Sequence, residues 1–239
     1  MKKLTIPSNT SLQELKNTLR DIGIEEIAVS AWVTTGNDMD LFTDALAAVP
    51  DVKVVKLNFH QVYATKINVE RLIRQCSPTL QEIHFEICSF NLDEDIFNLF
   101  ILMPNLTTFR SFDTHPTLSG SQAFRNYLSS NPSLKVWNPV NFWSDEQLAT
   151  AISGLTTNTN LETIFSECQD FGPRSARVLA RILQLSNIKT AQLFYNNIDG
   201  QGHEELYQAF NNCSRVSEME AWGSKSMDFE TLSNMRRAC

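Results

Sequence analysis

One apolar phase runs through nearly the whole chain, and it restricts the possible folds more than any other feature. The stretch Ile188–Leu206, IKTAQLFYNNIDGQGHEEL, has apolar residues at Ile188, Ala191, Leu193 and Ile198. Asn196 stands between the last two, and Gly202 precedes Leu206. Ala191 and Leu193, two residues apart, suit a strand with one buried face. Asn196 offers a side-chain amide to backbone groups where the chain turns away. The three leading apolar positions recur as Ile24/Ile27/Val29, Val52/Val55/Leu57, Leu80/Ile83/Phe85 and Leu106/Phe109/Ser111. They continue as Leu134/Trp137/Pro139, Leu161/Ile164/Ser166, Ile188/Ala191/Leu193 and Val216/Met219/Ala221. Successive starts are 28, 28, 26, 28, 27, 27 and 28 residues apart. A single such unit cannot bury its own apolar face, so the series predicts a stack in which each rung covers the next.

The punctuation keeps the same phase. Pro50, Pro78, Pro104 and Pro132 each precede a start by two residues, where proline ends a helix without interrupting the next strand. Turn formers such as Asp51, Thr79, Asn105, Ser133, Asn160 and Asn187 stand just before the start. Between strands the spacing predicts amphipathic helices. Their inner stripes pair Leu46 with Phe42, Phe124 with Leu128, Ile152 with Leu155, Leu179 with Leu183 and Leu206 with Phe210. Ser144 and Gln147 form a capping box, Thr10 and Gln13 form another, and Pro173 suits a first helical position.

With strand, turn asparagine and helix in this order, the chain resembles the ribonuclease-inhibitor-like subclass of leucine-rich repeat proteins. The resemblance implies an α/β fold, a right-handed solenoid or horseshoe with a parallel concave sheet and outer helices. The likeness covers about residues 1–237, and the expected organisation is one domain over 1–239: an N-terminal half-repeat cap over 1–23, seven repeats over 24–215, and the last repeat with a C-terminal cap over 216–239. Counting back one period places Leu4 and Ile6 beyond a strand, where the asparagine and the following isoleucine of a repeat belong. At the other end, Asp228–Arg237 reads as a short closing helix. The match is degenerate. The asparagine position holds Trp32, His60, Cys88, Thr114, Phe142, Gln169, Asn196 and Ser224, of which Asn196, then Cys88 and Thr114, can fill the role.

Bulk properties narrow the function. No run of 18 apolar residues occurs, so no membrane span is expected. The N-terminal MKKLTIPSNTS lacks the apolar core of a secretory signal. A net charge of −7 argues against a nucleic-acid surface, which needs a basic face. The five cysteines lack C-x-x-C spacing, which predicts a reducing, cytoplasmic setting and idle thiols, with no zinc.

Alternation along each strand predicts which side chains face the groove. That face is expected to carry Arg110, Phe112, Asp113, Asn138, Phe165, Glu167, Phe194, Tyr195, Glu218, Glu220 and Trp222, with Trp143 at its rim. Large rings beside charges are how protein-binding hot spots are built, because they bury much area at small entropic cost. Catalytic readings fare worse. Cys168 and His84 fall three strands apart, roughly 14 Å, too far for proton transfer. Glu82, His84 and Glu86 share a strand face but lie about 7 Å apart, which is poor spacing for a metal. His60 falls at a turn and reads as a core histidine. No phosphate loop, nucleophile elbow or H-E-x-x-H helix is present.

The expectation is therefore a non-catalytic module, with no cofactor or metal and monomeric on its own, whose groove engages another protein. Acidic groove residues favour a partner with a basic surface. The namesake inhibitor covers an enzyme's active site with an aromatic and acidic concave face, so the resemblance implies inhibition or regulation of an enzyme. The degenerate, Asn/Ser/Thr-rich repeats also look like leucine-rich repeat effectors that Legionella-type bacteria deliver into the host cytoplasm, some of which regulate other effectors. Two alternatives stand beside this: a GTPase-activating protein acting through Arg110, and a scaffold binding through its convex helices.

Overall fold

The computed structural model describes residues 2–5, 11–22, 26–32, 36–61, 65–131, 133–141, 143–156, 160–167, 171–185, 187–194 and 196–222. The eight repeat starts give strands β2 (Glu26–Trp32), β3 (Lys53–His60), β4 (Glu82–Glu86), β5 (Thr108–Phe112), β6 (Val136–Val140), β7 (Thr163–Glu167), β8 (Thr190–Phe194) and β9 (Glu218–Trp222). Another strand, β1 (Lys2–Thr5), precedes them. Helices α1 (Leu12–Ile22), α2 (Gly36–Ala47), α3 (Lys66–Cys76), α4 (Glu94–Asn98), α5 (Leu118–Ser130), α6 (Asp145–Ile152), α7 (Pro173–Leu183) and α8 (Gly200–Asn211) alternate with the strands. One-turn 3-10 segments follow α4 and α6, at Leu99–Leu102 and Ser153–Thr156. The fold is thus an α/β solenoid of leucine-rich-repeat type.

Contacts group the chain into two compact units: Met1–Asn91 with Asn98–Thr114, and Leu92–Phe97 with His115–Cys239. In the first unit β1 to β5 are parallel, each pairing with the next in sequence. In the second, β6 to β9 repeat the arrangement. Parallel neighbours need a crossover, and the intervening helix provides it while covering one face of the sheet.

The covered face is the core, and its residues are those of the apolar phase. In the first unit Leu57, Ile83 and Phe109 form one cross-strand row, all buried. Phe59 and Phe85 lie in the next row and stack at 5.2 Å and 10°. Phe109 meets Phe85 edge-on at 6.3 Å and Phe100 at 5.1 Å, geometries that suit the ring quadrupole. In the second unit Phe124 joins Phe97 at 4.9 Å and Trp137 at 5.1 Å, and Trp137 meets Trp143 at 5.6 Å. Every residue of the expected helix stripes, from Phe42 and Leu46 to Leu206 and Phe210, is buried.

The rungs are tied by polar contacts that repeat at the same period. Asn196 Nδ2 donates to Ser166 O at 2.7 Å, reaching back one rung from a buried position. Thr114 Oγ1 accepts from Cys88 N at 3.3 Å and donates to Phe112 O at 3.1 Å. Cys88 Sγ lies 3.7 Å from Phe59 O. The three side chains able to take the asparagine role therefore do so. The Ser144–Gln147 box forms as expected, with Ser144 N donating to Gln147 Oε1 at 2.8 Å and Gln147 N to Ser144 Oγ at 3.3 Å. Pro173 opens α7.

Several expectations need correction. Leu4 does not follow a strand: it lies within β1, paired with Val29, because that edge offers unsatisfied backbone groups to any strand that can reach them. Ser11 and Glu14 box the first helix, with Ser11 N donating to Glu14 Oε2 at 2.9 Å, while Thr10 of the expected Thr10–Gln13 box lies outside the described residues. The register shifts between β2 and β3 at Ile27/Ala28, where Val54 and Val55 are both buried. The closing helix expected over residues 228–237 lies outside the described residues.

Candidate functional site

On strands of period two, the residues between the buried ones form the uncovered face. In the first unit this face is a grid. Lys56, Glu82 and Thr108 make one row, Asn58, His84 and Arg110 the next, and His60, Glu86 and Phe112 the third. Its acids are paired internally. Lys56 Nζ donates to Glu82 Oε2 at 2.7 Å, and His60 Nδ1 lies 2.8 Å from Glu86 Oε2. Partial burial pushes the Glu82 carboxyl up, but the Lys56 hydrogen bond and charge, with His84 and Arg110, outweigh it and hold the group below its usual value. Burial, helped by the charges of Lys56 and Arg110 and opposed by Glu82, lowers the pKa of His84 to about 4. His84 is therefore a neutral imidazole at physiological pH.

His60 belongs to this face as well, which corrects its expected inward position. β3 runs on to His60, and the buried neighbour Phe59 takes the core side instead.

In the second unit the uncovered rows are Val136, Thr163, Thr190 and Glu218, then Asn138, Phe165, Gln192 and Glu220, then Val140, Glu167, Phe194 and Trp222. Asn138 and Phe165 are half-buried, and Glu218 is exposed. Among the described residues Glu218 accepts from uncharged donors, Gln192 Nε2 at 3.3 Å and Thr190 Oγ1 at 3.5 Å. Pro139, on the core side of β6, has no N–H to give. The β6–β7 ladder accordingly pairs Val136, Trp137 and Val140 but not the residues between.

The expected binding residues distribute as follows. Arg110 and Phe112 lie on the uncovered face of β5, both exposed, and Asp113 follows the strand end, half-buried. Arg110 sits mid-strand, not on a protruding loop. Glu167, Phe194, Glu220 and Trp222 occupy strand positions of the same uncovered register, with their side chains outside the described ones. Tyr195 lies outside the described residues altogether. Trp143 is the clear departure. It is 1% exposed and packs edge-on against Phe97, Phe124 and Trp137, so it is core and not rim. A tryptophan beside a helix start finds more apolar contact under that helix than at a sheet edge.

One residue was not among the expected binders. Ile87, the first residue past β4, is 41% exposed and has a positive φ of 52°. The available signal was positional: the equivalent places after β5 and β6 hold Asp113 and Asn141, which tolerate that backbone, whereas isoleucine does not. Among the described residues no three His, Cys, Asp or Glu side chains come together to hold a metal ion.

Similarity to solved structures is one of fold. A Bacteroides fragilis protein from a structural-genomics programme superposes with a TM-score of 0.57 at 13% identity, covering 94% of this chain and 75% of that one. The Caenorhabditis elegans tropomodulin C-terminal domain gives 0.34 at 12% identity, over 73% of this chain and 91% of that one, a superposition too loose to support inference. No family profile and no curated protein matches the sequence.

Proposed function

We propose that this chain is a non-catalytic leucine-rich-repeat module that captures a partner protein on the uncovered strand faces. The observation that supports this most is Phe112, a ring left 38% exposed in a sheet whose other described rings in the first unit are buried. A phenyl side chain gains by leaving water, so keeping one open beside an exposed arginine favours burial against a second molecule. In the second unit Phe165 and the exposed Glu218 extend the same pattern.

The finer reading is that the partner is an enzyme with a basic surface, inhibited when the module covers its active site. In this reading the chain is ribonuclease-inhibitor-like and serves as a Legionella-type effector that regulates another effector, working in a cytoplasm, the host's after delivery. Its support is the sequence resemblance and the net charge of −7.

The test is capture from bacterial and host lysates on the immobilised protein, identified by mass spectrometry and repeated with two variants. Alanine at Phe112, Phe165, Phe194, Tyr195 and Trp222 should abolish capture while the helical circular-dichroism signal is kept. Charge reversal at Arg174 and Arg181 on α7, both exposed on the helical side, should leave capture unchanged. The reverse pattern would replace this reading with a helix-face scaffold. If the captured protein is an enzyme, its activity should fall in proportion to the module added.

A further inference from the structure

At the carboxyl ends of β4 and β5 the first unit leaves Ile87, Arg110 and Phe112 exposed. Gln61, Ile87, Asp113 and Asn141 each follow a strand directly and have φ of 49°, 52°, 46° and 59°. Aspartate and asparagine enter this left-handed region most readily among residues with a Cβ, and a β-branched side chain is strongly disfavoured there. Ile87 is not compensated by burial, because 41% of its surface remains open. Backbone strain at an exposed residue brings no packing gain, and such outliers cluster at binding and switch positions.

The neighbours of Ile87 point to binding. Its N–H donates to Phe112 O at 2.9 Å, which places it one backbone hydrogen bond from the other exposed apolar residue of this corner. Two residues before Phe112, on the same strand face, stands the exposed Arg110. No carboxylate among the described residues lies within ion-pair distance of Arg110. The nearby acids are already engaged, Glu82 by Lys56 and Glu86 by His60.

We infer that Ile87, Arg110 and Phe112 form a docking corner for a partner segment that carries an aliphatic or aromatic side chain within a few residues of an aspartate or glutamate. The inference rests on the protein-binding reading above and gives part of that contact its chemistry. An unpaired guanidinium offers a planar fork that a carboxylate fills with two charge-assisted hydrogen bonds. The exposed Ile87 and Phe112 side chains bury the adjacent apolar group and shield that pair from water. A basic segment would meet the exposed Arg110 with like charge. A polyanion such as nucleic acid would bring its further charges against Glu82 and Glu86. A single carboxylate fits both restrictions.

The test selects a phage-displayed library of random twelve-residue peptides on the intact protein, counter-selected on the Arg110→Glu variant. Enriched peptides should place Asp or Glu within about three positions of Leu, Ile, Met or Phe. Arg110→Ala and Phe112→Ala should each weaken them about tenfold or more, the range of a hot-spot residue. Ile87→Asn should weaken the same peptides while raising the melting temperature by about 2–4 °C, because asparagine relieves the backbone strain. Circular dichroism confirms that the variants fold. Enrichment of basic sequences, binding indifferent to all three substitutions, or no peptide preferring wild type to Arg110→Glu overturns the inference. So does an Ile87→Asn variant that binds as wild type does. In each case the broader reading survives if lysate capture still depends on Phe165, Phe194 and Trp222, and falls with it only if that capture is also indifferent.

Discussion

His84 shows how much one residue's behaviour depends on its place in the grid. Its side chain is 15% exposed in the middle of β4, and burial with the charges of Lys56 and Arg110 lowers its pKa to about 4. In the unfolded chain the same imidazole titrates near 6.5. Between these values the unfolded state binds more protons, so stability is full above about pH 6.5 and is lost as pH falls toward 4. The loss should reach about 2–3 kcal/mol. Urea unfolding should give equal midpoints at pH 7 and 8 and a lower one at pH 5, and His84→Gln should remove most of that drop. His203, whose pKa burial also lowers, contributes in the same direction. Parallel pH curves for variant and wild type would remove His84 from this role. None of it was legible in the string I-H-F, which placed His84 on a strand face but carried no information on how deeply neighbouring strands would bury it.

At the scale of elements, the start of α7 depends on a residue in the previous rung. Its N-cap is Gly172, which has no side chain to offer. The Asp145 carboxylate, from the first turn of α6, accepts instead from Gly172 N at 2.9 Å, Ser175 N at 2.8 Å and Arg174 N at 3.0 Å. Ser175 Oγ donates to the Asp145 carbonyl at 2.9 Å. Asp145→Ala therefore strips three helix-start donors and should cost about 2–3 kcal/mol in urea unfolding, more than a usual cap. A loss below ~0.5 kcal/mol would mean that water serves those donors equally well. Gly120 in α5 is the steric counterpart. A Cβ there would overlap the carbonyl oxygen of Leu92, which also accepts from Thr117 N at 3.0 Å. Gly120→Ala should destabilise by roughly 1–3 kcal/mol, read in the same assay. The Ser144–Gln147 box and Pro173 could be read from sequence because their rules act within four residues. Asp145 could not, since its partners lie 27 to 30 residues away.

For the whole molecule, charge and surface are the properties that count. The chain carries −7, and among the described residues no helix is long and apolar enough to cross a membrane. If the partner has the basic surface proposed, long-range attraction should speed encounter. The association rate should then fall about tenfold or more between low and high salt, while dissociation changes little. A rate independent of ionic strength in stopped-flow or surface-plasmon measurements would leave docking to the apolar and Arg110 contacts alone.

The repeat phase by itself determined the strand positions, the helix stripes and the rung-to-rung role of Asn196, because each depends on a local period that the chain states again every 26 to 28 residues. It also named Arg110 and Phe112 as surface residues, since alternation along a strand is fixed by backbone geometry. Only the tertiary structure decided that Trp143 is core, that Lys56 and His60 already engage Glu82 and Glu86, and that Ile87 stands exposed on a strained backbone. Those outcomes turn on which residues of neighbouring rungs come within a few ångströms, and a one-dimensional pattern does not encode that distance.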